Sequence, residues 1–215
     1  GLSSGSTKNR TLAGLAHDLK DFMETLDLHD VVLVGESMGG MVILKYIDLF
    51  GCQNIARMAL CDTSPKCLND EDWQYGMYLD RDTPLTSQVF HEYLQGFASD
   101  YEKQMEQFST ATMRGLPPEK MTTMKWPPVT RELQMDEMLS FFIAMATDGD
   151  LDALDTIDVP TRLVHADPGS LFPPAGAAYM QSKIAGAKRV PVGKTHLFSL
   201  EEPEQYTAVL EEFLA

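Results

Sequence analysis

The chain has 215 residues, 44% of them apolar, and carries 17 Lys and Arg against 32 Asp and Glu, a formal net charge of −15. That length and apolar content suit one globular domain with a sizeable core, and so negative a surface repels nucleic acid and anionic membrane, which argues against both as partners. No run approaches the roughly 18 apolar residues of a membrane span, the start lacks a signal-peptide core, and Cys52, Cys61 and Cys67 form no C-x-x-C pair, so they read as reduced, partly buried thiols of a cytoplasmic protein.

Taken in order, the opening residues are loop-like. Thr11 is placed as a helix N-cap, and Leu12, Leu15, Leu19, Phe22, Met23 and Leu26 follow at helical spacing, with His17, Asp18, Lys20 and Asp21 mostly outward. This predicts an amphipathic helix packed on a sheet. Val31-Val32-Leu33-Val34 is a strand that runs directly into Gly35-Glu36-Ser37-Met38-Gly39-Gly40, and 41–50 reads as a buried helix stopping at Gly51. A second apolar strand, 55–61, ends in Asp62-Thr63-Ser64-Pro65. Strand, helix, strand implies a right-handed parallel crossover, and function in such sheets sits at the carboxyl ends of the strands, where Ser37 and Asp62 both fall.

From 66 to 150 the character changes. This stretch holds both tryptophans, Trp73 and Trp126, and eight of the 13 methionines, broken by Pro117-Pro118 and Pro127-Pro128. It is far too long for a loop and reads as several short helices, an inserted cap at 66–150 on a core built from 1–65 and 151–215. The core resumes at Ile157-Asp158-Val159-Pro160, with a strand at 161–166, the turn Asp167-Pro168-Gly169-Ser170, a helix at 174–184 and a last strand at 188–192. That strand leads into Gly193-Lys194-Thr195-His196, and Pro203 opens a final amphipathic helix with Tyr206, Val209, Leu210 and Phe213 inward.

Strand, Gly-x-Ser-x-Gly, helix is the pattern of a nucleophile elbow. Ser37 sits in a strained turn, Gly35 and Gly39 are small enough for strand and helix to approach closely, and the first helical N–H groups, beginning with Met38, point where an oxyanion would gather charge. Gly1-Leu2-Ser3-Ser4-Gly5 also fits the motif, but no strand precedes it. A serine hydroxyl needs a base, and a neutral imidazole can serve as one. His196 follows the last strand and precedes a helix, whereas His17 and His29 flank the first helix, His91 lies in the cap and His165 inside a strand. A carboxylate must then orient the imidazole. Asp62 at a strand end is the first candidate and Asp167 the alternative, although either also suits a turn cap. Trp73, Trp126, Met77, Met121 and Met124 would line an apolar pocket or simply form the cap's own core. Glu36 receives no role. No metal-ligand spacing and no Gly-rich phosphate loop occur, so no cofactor and no metal are implied.

This order of parts resembles the α/β-hydrolase superfamily over essentially the whole chain, in Gly35-Glu36-Ser37-Met38-Gly39-Gly40 after a strand, the cap after the next strand, Val159-Pro160-Thr161 opening another, and Gly193-Lys194-Thr195-His196 after the last. Cys61-Asp62-Thr63-Ser64-Pro65-Lys66 with Trp73 is similar to the cap-bearing esterase and lactonase branch, enol-lactonase-like members included. The resemblance implies an α/β fold, a mostly parallel sheet flanked by helices, with Ser37 as nucleophile and His196 as base in a hydrolase of small, fairly apolar carboxylic esters or lactones. It also implies strands and a His-Gly oxyanion turn before Gly1, so the chain reads as N-terminally shortened. An exposed sheet edge would then bring poor autonomous stability, or association as a homo-oligomer or with a missing N-terminal segment. The family's usual acid lies four residues before a proline. Counting back from Pro173 lands on Gly169, two beyond Asp167, whereas haloalkane dehalogenases and cofactor-free quinolone dioxygenases carry the acid where this chain has Asp62. Dehalogenases use an aspartate nucleophile, against Ser37. The run Gly193-x-Thr195-His196-x-x-Ser199-Leu200-Glu201-x-Pro203 resembles the dioxygenase branch and keeps that alternative open, beside an inactive relative serving as a binding module.

Overall fold

Four apolar runs form the strands Val31–Glu36 (β1), Ile55–Cys61 (β2), Thr161–His165 (β3) and Lys188–Pro191 (β4), which pair in parallel in the order β1-β2-β3-β4. The computed structural model describes residues 10–80, 82–121, 131–149, 151–169 and 171–215, with backbone alone at 121 and 131–138. The helices, in chain order, are Leu12–Thr25 (α1), Met38–Phe50 (α2), Ser87–Ser99 (α3), Tyr101–Thr112 (α4), Pro118–Met121 (α5), Arg131–Thr147 (α6), Pro174–Lys183 (α7), Phe198–Glu201 (α8) and Pro203–Leu214 (α9). The opening Gly1-Leu2-Ser3-Ser4-Gly5 lies outside the described residues.

Side-chain alternation along the strands divides the core in two. Met58, Leu60 and Leu163 turn to one face and meet Ala16 and Met23 of α1, Ile43, Leu44 and Ile47 of α2, and Ala177 and Met180 of α7. Ala59, Cys61 and Val164 turn to the other and meet Phe198 of α8, with Tyr206, Val209, Leu210 and Phe213 of α9 packed behind it. Strands apolar on both faces therefore read as continuous hydrophobic runs, and each fully buried Leu, Ile or Met stabilises the fold by about 1.5–3 kcal/mol. The end of α9 is fastened to the sheet by Arg57, whose Nη1 donates to the Phe213 carbonyl at 2.5 Å, and by Arg162, whose guanidinium lies 5.2 Å from the centre of the Phe213 ring. A third apolar layer joins α3, α4 and α6 through Phe90, Tyr93, Phe97, Ala111 and Phe142, and reaches the sheet domain at Met41 and Phe172.

At the β1 edge Val32 and Val34 are 39% and 46% exposed. The cover formed by α8 and α9 packs on β2, β3 and β4, and β1 lies beyond it. Val31 N–H donates to Asn54 and Ser37 N–H to Cys61, so strand alternation directs the main-chain groups of Val32, Val34 and Glu36 to the side of β1 that no described strand pairs. On α1, helical spacing places Phe22 and Leu26 inward with Leu12 and Met23, but they are 57% and 54% exposed. Helical periodicity marks a stripe wider than the face that α2 covers. The N-cap is as expected: Thr11 Oγ1 accepts from Gly14 N–H at 2.9 Å.

Gly35 decides whether β1 and α2 can join. A Cβ there would lie 2.6 Å from the Gly39 carbonyl and from Gly40 N, all backbone atoms. Gly39, expected to share this duty, has nothing within 4 Å of its Cβ direction, and it is Gly40 whose Cβ would meet the Thr63 side chain at 2.6 Å. Gly35→Ala is expected to lower Tm by about 10 °C or more, or to abolish folding. Gly39→Ala, in the first turn of α2 with free space at its Cβ, should hold Tm or raise it by about 2–4 °C. Thermal unfolding of the two variants checks the contrast.

His165 supplies a pH test of the core. It is buried in β3, its Nδ1 has no hydrogen-bond partner among the described residues, and burial, then the Arg189 charge, hold its pKa below the usual imidazole value. The native state thus favours the neutral ring, so stability falls as pH drops below about 6.5 and the unfolded chain takes up the proton. Between pH 7 and 5 the Tm of His165→Leu should decline less steeply than that of the wild type.

Candidate active site

The site is assembled where β1, β2 and β4 end. Ser37 is the single residue between β1 and α2, half-buried, with φ 56° and ψ −123°. A β-carbon strains this left-handed backbone, and it persists only where the surroundings over-determine it. Here Ser37 N–H is bonded to the Cys61 carbonyl at 2.9 Å, and the Ser37 carbonyl accepts from Gly40 N–H at 3.0 Å to close the first turn of α2. The turn leaves Met38 N–H at the open N-terminus of a 13-residue helix, where unpaired N–H groups and the helix dipole favour negative charge.

Asp62 follows β2 directly and is 3% exposed, with φ 40°. Its N–H donates to the Val164 carbonyl at 2.8 Å, and its Oδ1 accepts from Ala166 N–H at 3.2 Å. Its Oδ2 lies 2.6 Å from Nδ1 of His196, itself 4% exposed. A carboxylate oxygen accepts, so Nδ1 carries the hydrogen of this bond and Nε2 is the acceptor nitrogen of the neutral ring. The Phe172 ring lies against the imidazole, centroids 5.8 Å apart. Asp167 takes a different position: its side chain is exposed, and its N–H donates to the Gly193 carbonyl at 3.1 Å. Of the two carboxylates, Asp62 is the one in contact with His196.

The loop holding His196 has its own support. Glu201 Oε2 accepts from Lys194 N–H at 2.8 Å and Thr195 N–H at 2.9 Å, and Lys120 Nζ donates to the Glu201 carbonyl. Gly193, at φ 59°, is where the chain turns into this clamp, since a Cβ there would lie 2.7 Å from the Glu201 carboxylate. In the sequence Glu201 stands only as one member of a motif and takes no role of its own. Its signal is an acid two residues before the Pro203 helix start, close enough along the chain to fold back onto the loop. Glu36 is a second carboxylate without an assigned role. It accepts from Ser199 Oγ at 3.1 Å, and burial raises its pKa above the usual carboxylate value, against the opposing effect of the Ser199 bond. The thiols nearby are poor nucleophile candidates, because burial pushes both Cys61 and Cys67 up to about 12.

The remaining expected pocket residues divide. Trp73 is 2% exposed, donates from Nε1 to the Lys66 carbonyl at 2.9 Å, and is enclosed edge-to-face by Tyr75 and Tyr179. Those surroundings account for it by packing. Met77 lines an apolar void of about 10 Å³ with Cys67, Leu85, Phe90, Tyr93 and Phe142. Trp126 and Met124 lie outside the described residues, as does the Met121 side chain. Among the described residues, no group of three or more His, Cys, Asp or Glu is placed to hold a metal ion, and no helix is long and apolar enough to cross a membrane.

A profile of the alpha/beta hydrolase fold matches residues 1–203. The chain belongs to the α/β-hydrolase family. It is 24% identical over 93% of its length to the pimeloyl-[acyl-carrier protein] methyl ester esterase of Nitrosospira multiformis, covering 74% of that protein. It is 17% identical over 96% of its length to 3-oxoadipate enol-lactonase 1 of Acinetobacter baylyi, covering 72%. The Karrikin insensitive 2 receptor IA of Petunia hybrida is also similar, at 23% identity over 93% of this chain and 70% of that one. Among solved structures, an esterase from Exiguobacterium antarcticum superposes with a TM-score of 0.83 at 21% identity, covering 99% of this chain and 77% of that one. The fold of this α/β-hydrolase is thereby shown, and its esterase and lactonase relatives support a hydrolase activity.

In this family member the pairing of Asp62 with His196 should be visible in stability. Asp62→Ala strips the imidazole and Ala166 N–H of a buried acceptor and is expected to cost about 2–4 kcal/mol. Asp167→Ala removes only an exposed side chain and should stay within about 0.5 kcal/mol of wild type. Urea unfolding of both variants measures the difference.

Proposed function

We propose that this α/β-hydrolase is a serine hydrolase of small, fairly apolar carboxylic esters or lactones, acting through Ser37, His196 and Asp62 and an acyl-enzyme. One observation carries the reading: a buried 2.6 Å contact fixes the imidazole at the same sheet end as the serine elbow. Ser37 Oγ attacks the carbonyl carbon while His196 Nε2 takes its proton, and Asp62, bonded to Nδ1, orients the ring and stabilises the imidazolium. Met38 N–H donates to the oxyanion at the helix N-terminus. His196 then returns the proton to the leaving alcohol or ring oxygen and removes one from the water that cleaves the acyl-enzyme. The helical segment 66–150 acts as the cap. Its apolar layer meets the site end through Met38, Met41, Leu171 and Phe172, which suits an apolar acyl or ring group. The ester and lactone classes rest on the names of the relatives, an esterase and an enol-lactonase.

A second reading has one observation in its favour. The carboxylate paired with His196 follows the strand after the elbow helix, the position that the resemblance ties to cofactor-free dioxygenases. In that reaction the imidazole would deprotonate a heteroaromatic hydroxyl, and oxygen would be consumed.

Treatment with a fluorophosphonate followed by peptide mass spectrometry, with proton release from short-chain esters and lactones in parallel, tests the hydrolase reading. Wild type should carry one adduct, on Ser37, and hydrolyse ester. Ser37→Ala should lose both, and Asp62→Asn should lose about 10³–10⁴-fold in kcat by presenting the wrong tautomer, while Asp167→Asn stays within about twofold. A folded protein that takes no adduct at Ser37 overturns the proposal, and oxygen uptake with a hydroxyquinolone would replace it with the dioxygenase reading.

A further inference from the structure

We propose that Glu36 is a positioning residue of this site: bonded to Ser199, its carboxylate ties the strand carrying the nucleophile to the helix that follows the histidine, and sets a second negative charge beside the Asp62–His196 pair. This rests on the serine-hydrolase reading. Glu36 immediately precedes Ser37, and Ser199 stands three residues beyond His196, in the four-residue α8. Their 3.1 Å bond spans 163 residues of sequence. Strand alternation sends Glu36 to the same face as Val32 and Val34. Those two side chains are exposed, whereas Glu36, at the end of β1, is half-buried and reaches Ser199 at the margin of the α8 cover.

Burying a carboxylate is unfavourable unless something answers its charge. The titratable groups that face Glu36 are Cys61 and Asp62 from β2, His196 from the loop before α8, and Tyr206 from α9. The thiol and the phenol are neutral with pKa values raised by burial, and Asp62 is of like charge. Only His196 can become cationic among them. The field of Glu36 therefore finds its partner when the imidazole takes the serine proton, so it favours the charge-separated state over the resting one. The tether and the charge are two separable contributions from one side chain. Glu201 holds the other side of the same loop through Lys194 N–H and Thr195 N–H, so the histidine loop is restrained from both flanks.

Two variants separate the contributions. Glu36→Gln retains an acceptor for Ser199 Oγ and removes the charge, while Ser199→Ala retains the charge and removes the tether. The readout is the second-order rate constant for fluorophosphonate capture of Ser37 between pH 5 and 9, together with Tm. Glu36→Gln should move the acid limb of the profile to lower pH by about 0.5–1 unit and lower the plateau about three- to tenfold. Its Tm at neutral pH should hold or rise, because a carboxyl whose native pKa is raised loses stability as pH climbs above about 4.3, and the amide has no such loss. Ser199→Ala should leave the limb in place and lower the plateau, and Ser199→Thr, which keeps the hydroxyl, should restore it. Wild-type labelling with a Glu36→Gln profile superimposable on it overturns this proposal alone. A fall in the Glu36→Gln Tm with an unmoved limb also overturns it, by reducing Glu36 to a folding role. Absence of the Ser37 adduct in wild type overturns the hydrolase reading and this proposal with it.

Discussion

A carboxylate and an imidazole withdrawn from water must satisfy one another, and Asp62 and His196 do so across 134 residues of chain. The contact forms only if β2 and β4 end at the same level of the sheet, because neither side chain is long. Parallel pairing through β3 sets that level: Cys61 is in register with Val164, and His165 with Pro191. Ala166 N–H and the Val164 carbonyl then fix Asp62 from the middle strand. The polar pair is thus positioned by the ladder of an apolar sheet.

The same end of the sheet concentrates backbone strain. Ser37 at φ 56° and Asp62 at φ 40° are both non-glycine residues in the left-handed region, and they follow adjacent strands. Each such position costs about 1–3 kcal/mol. What offsets the cost is the apolar packing on both sheet faces, together with the bond from Ser37 N–H to Cys61 that locks one strained turn to the strand preceding the other. Gly35 contributes in another way, since it has no unusual φ but must let the backbone of α2 pass within touching distance. Substitution there strikes the joint itself, which the conformational latitude of glycine elsewhere would not.

Much of this was legible in the sequence, for definable reasons. Strand identity, the Thr11 cap, the elbow and the final amphipathic helix are local, set by periodicity and by residue types within a few positions of each other. The fold class followed from their order. What escaped depends on where separate elements finish in space. Periodicity could not show that the cover from α9 stops short of Val32 and Val34, nor that Gly40 rather than Gly39 would meet Thr63. Counting toward Pro173 left the acid open between Asp62 and Asp167, and no count along the chain could show that Asp62 ends level with His196 and contacts it. The Glu36–Ser199 bond joins residues that no spacing rule relates. Trp73 stands out by its size, and size alone does not distinguish packing against Tyr75 and Tyr179 from lining a pocket.

The proposed chemistry therefore rests on one short contact and the scaffold that enforces it. Proton NMR in water observes that contact directly. A hydrogen held between Nδ1 of His196 and the Asp62 carboxylate, shielded from exchange by burial, should resonate far downfield of the amide envelope. The resonance is expected in the wild type and in Asp167→Asn, and should vanish in Asp62→Asn and in His196→Ala. A downfield resonance that survives in Asp62→Asn and vanishes in Asp167→Asn, or none in the wild type under conditions where the protein is folded, would contradict the pairing on which the proposed hydrolase site is built.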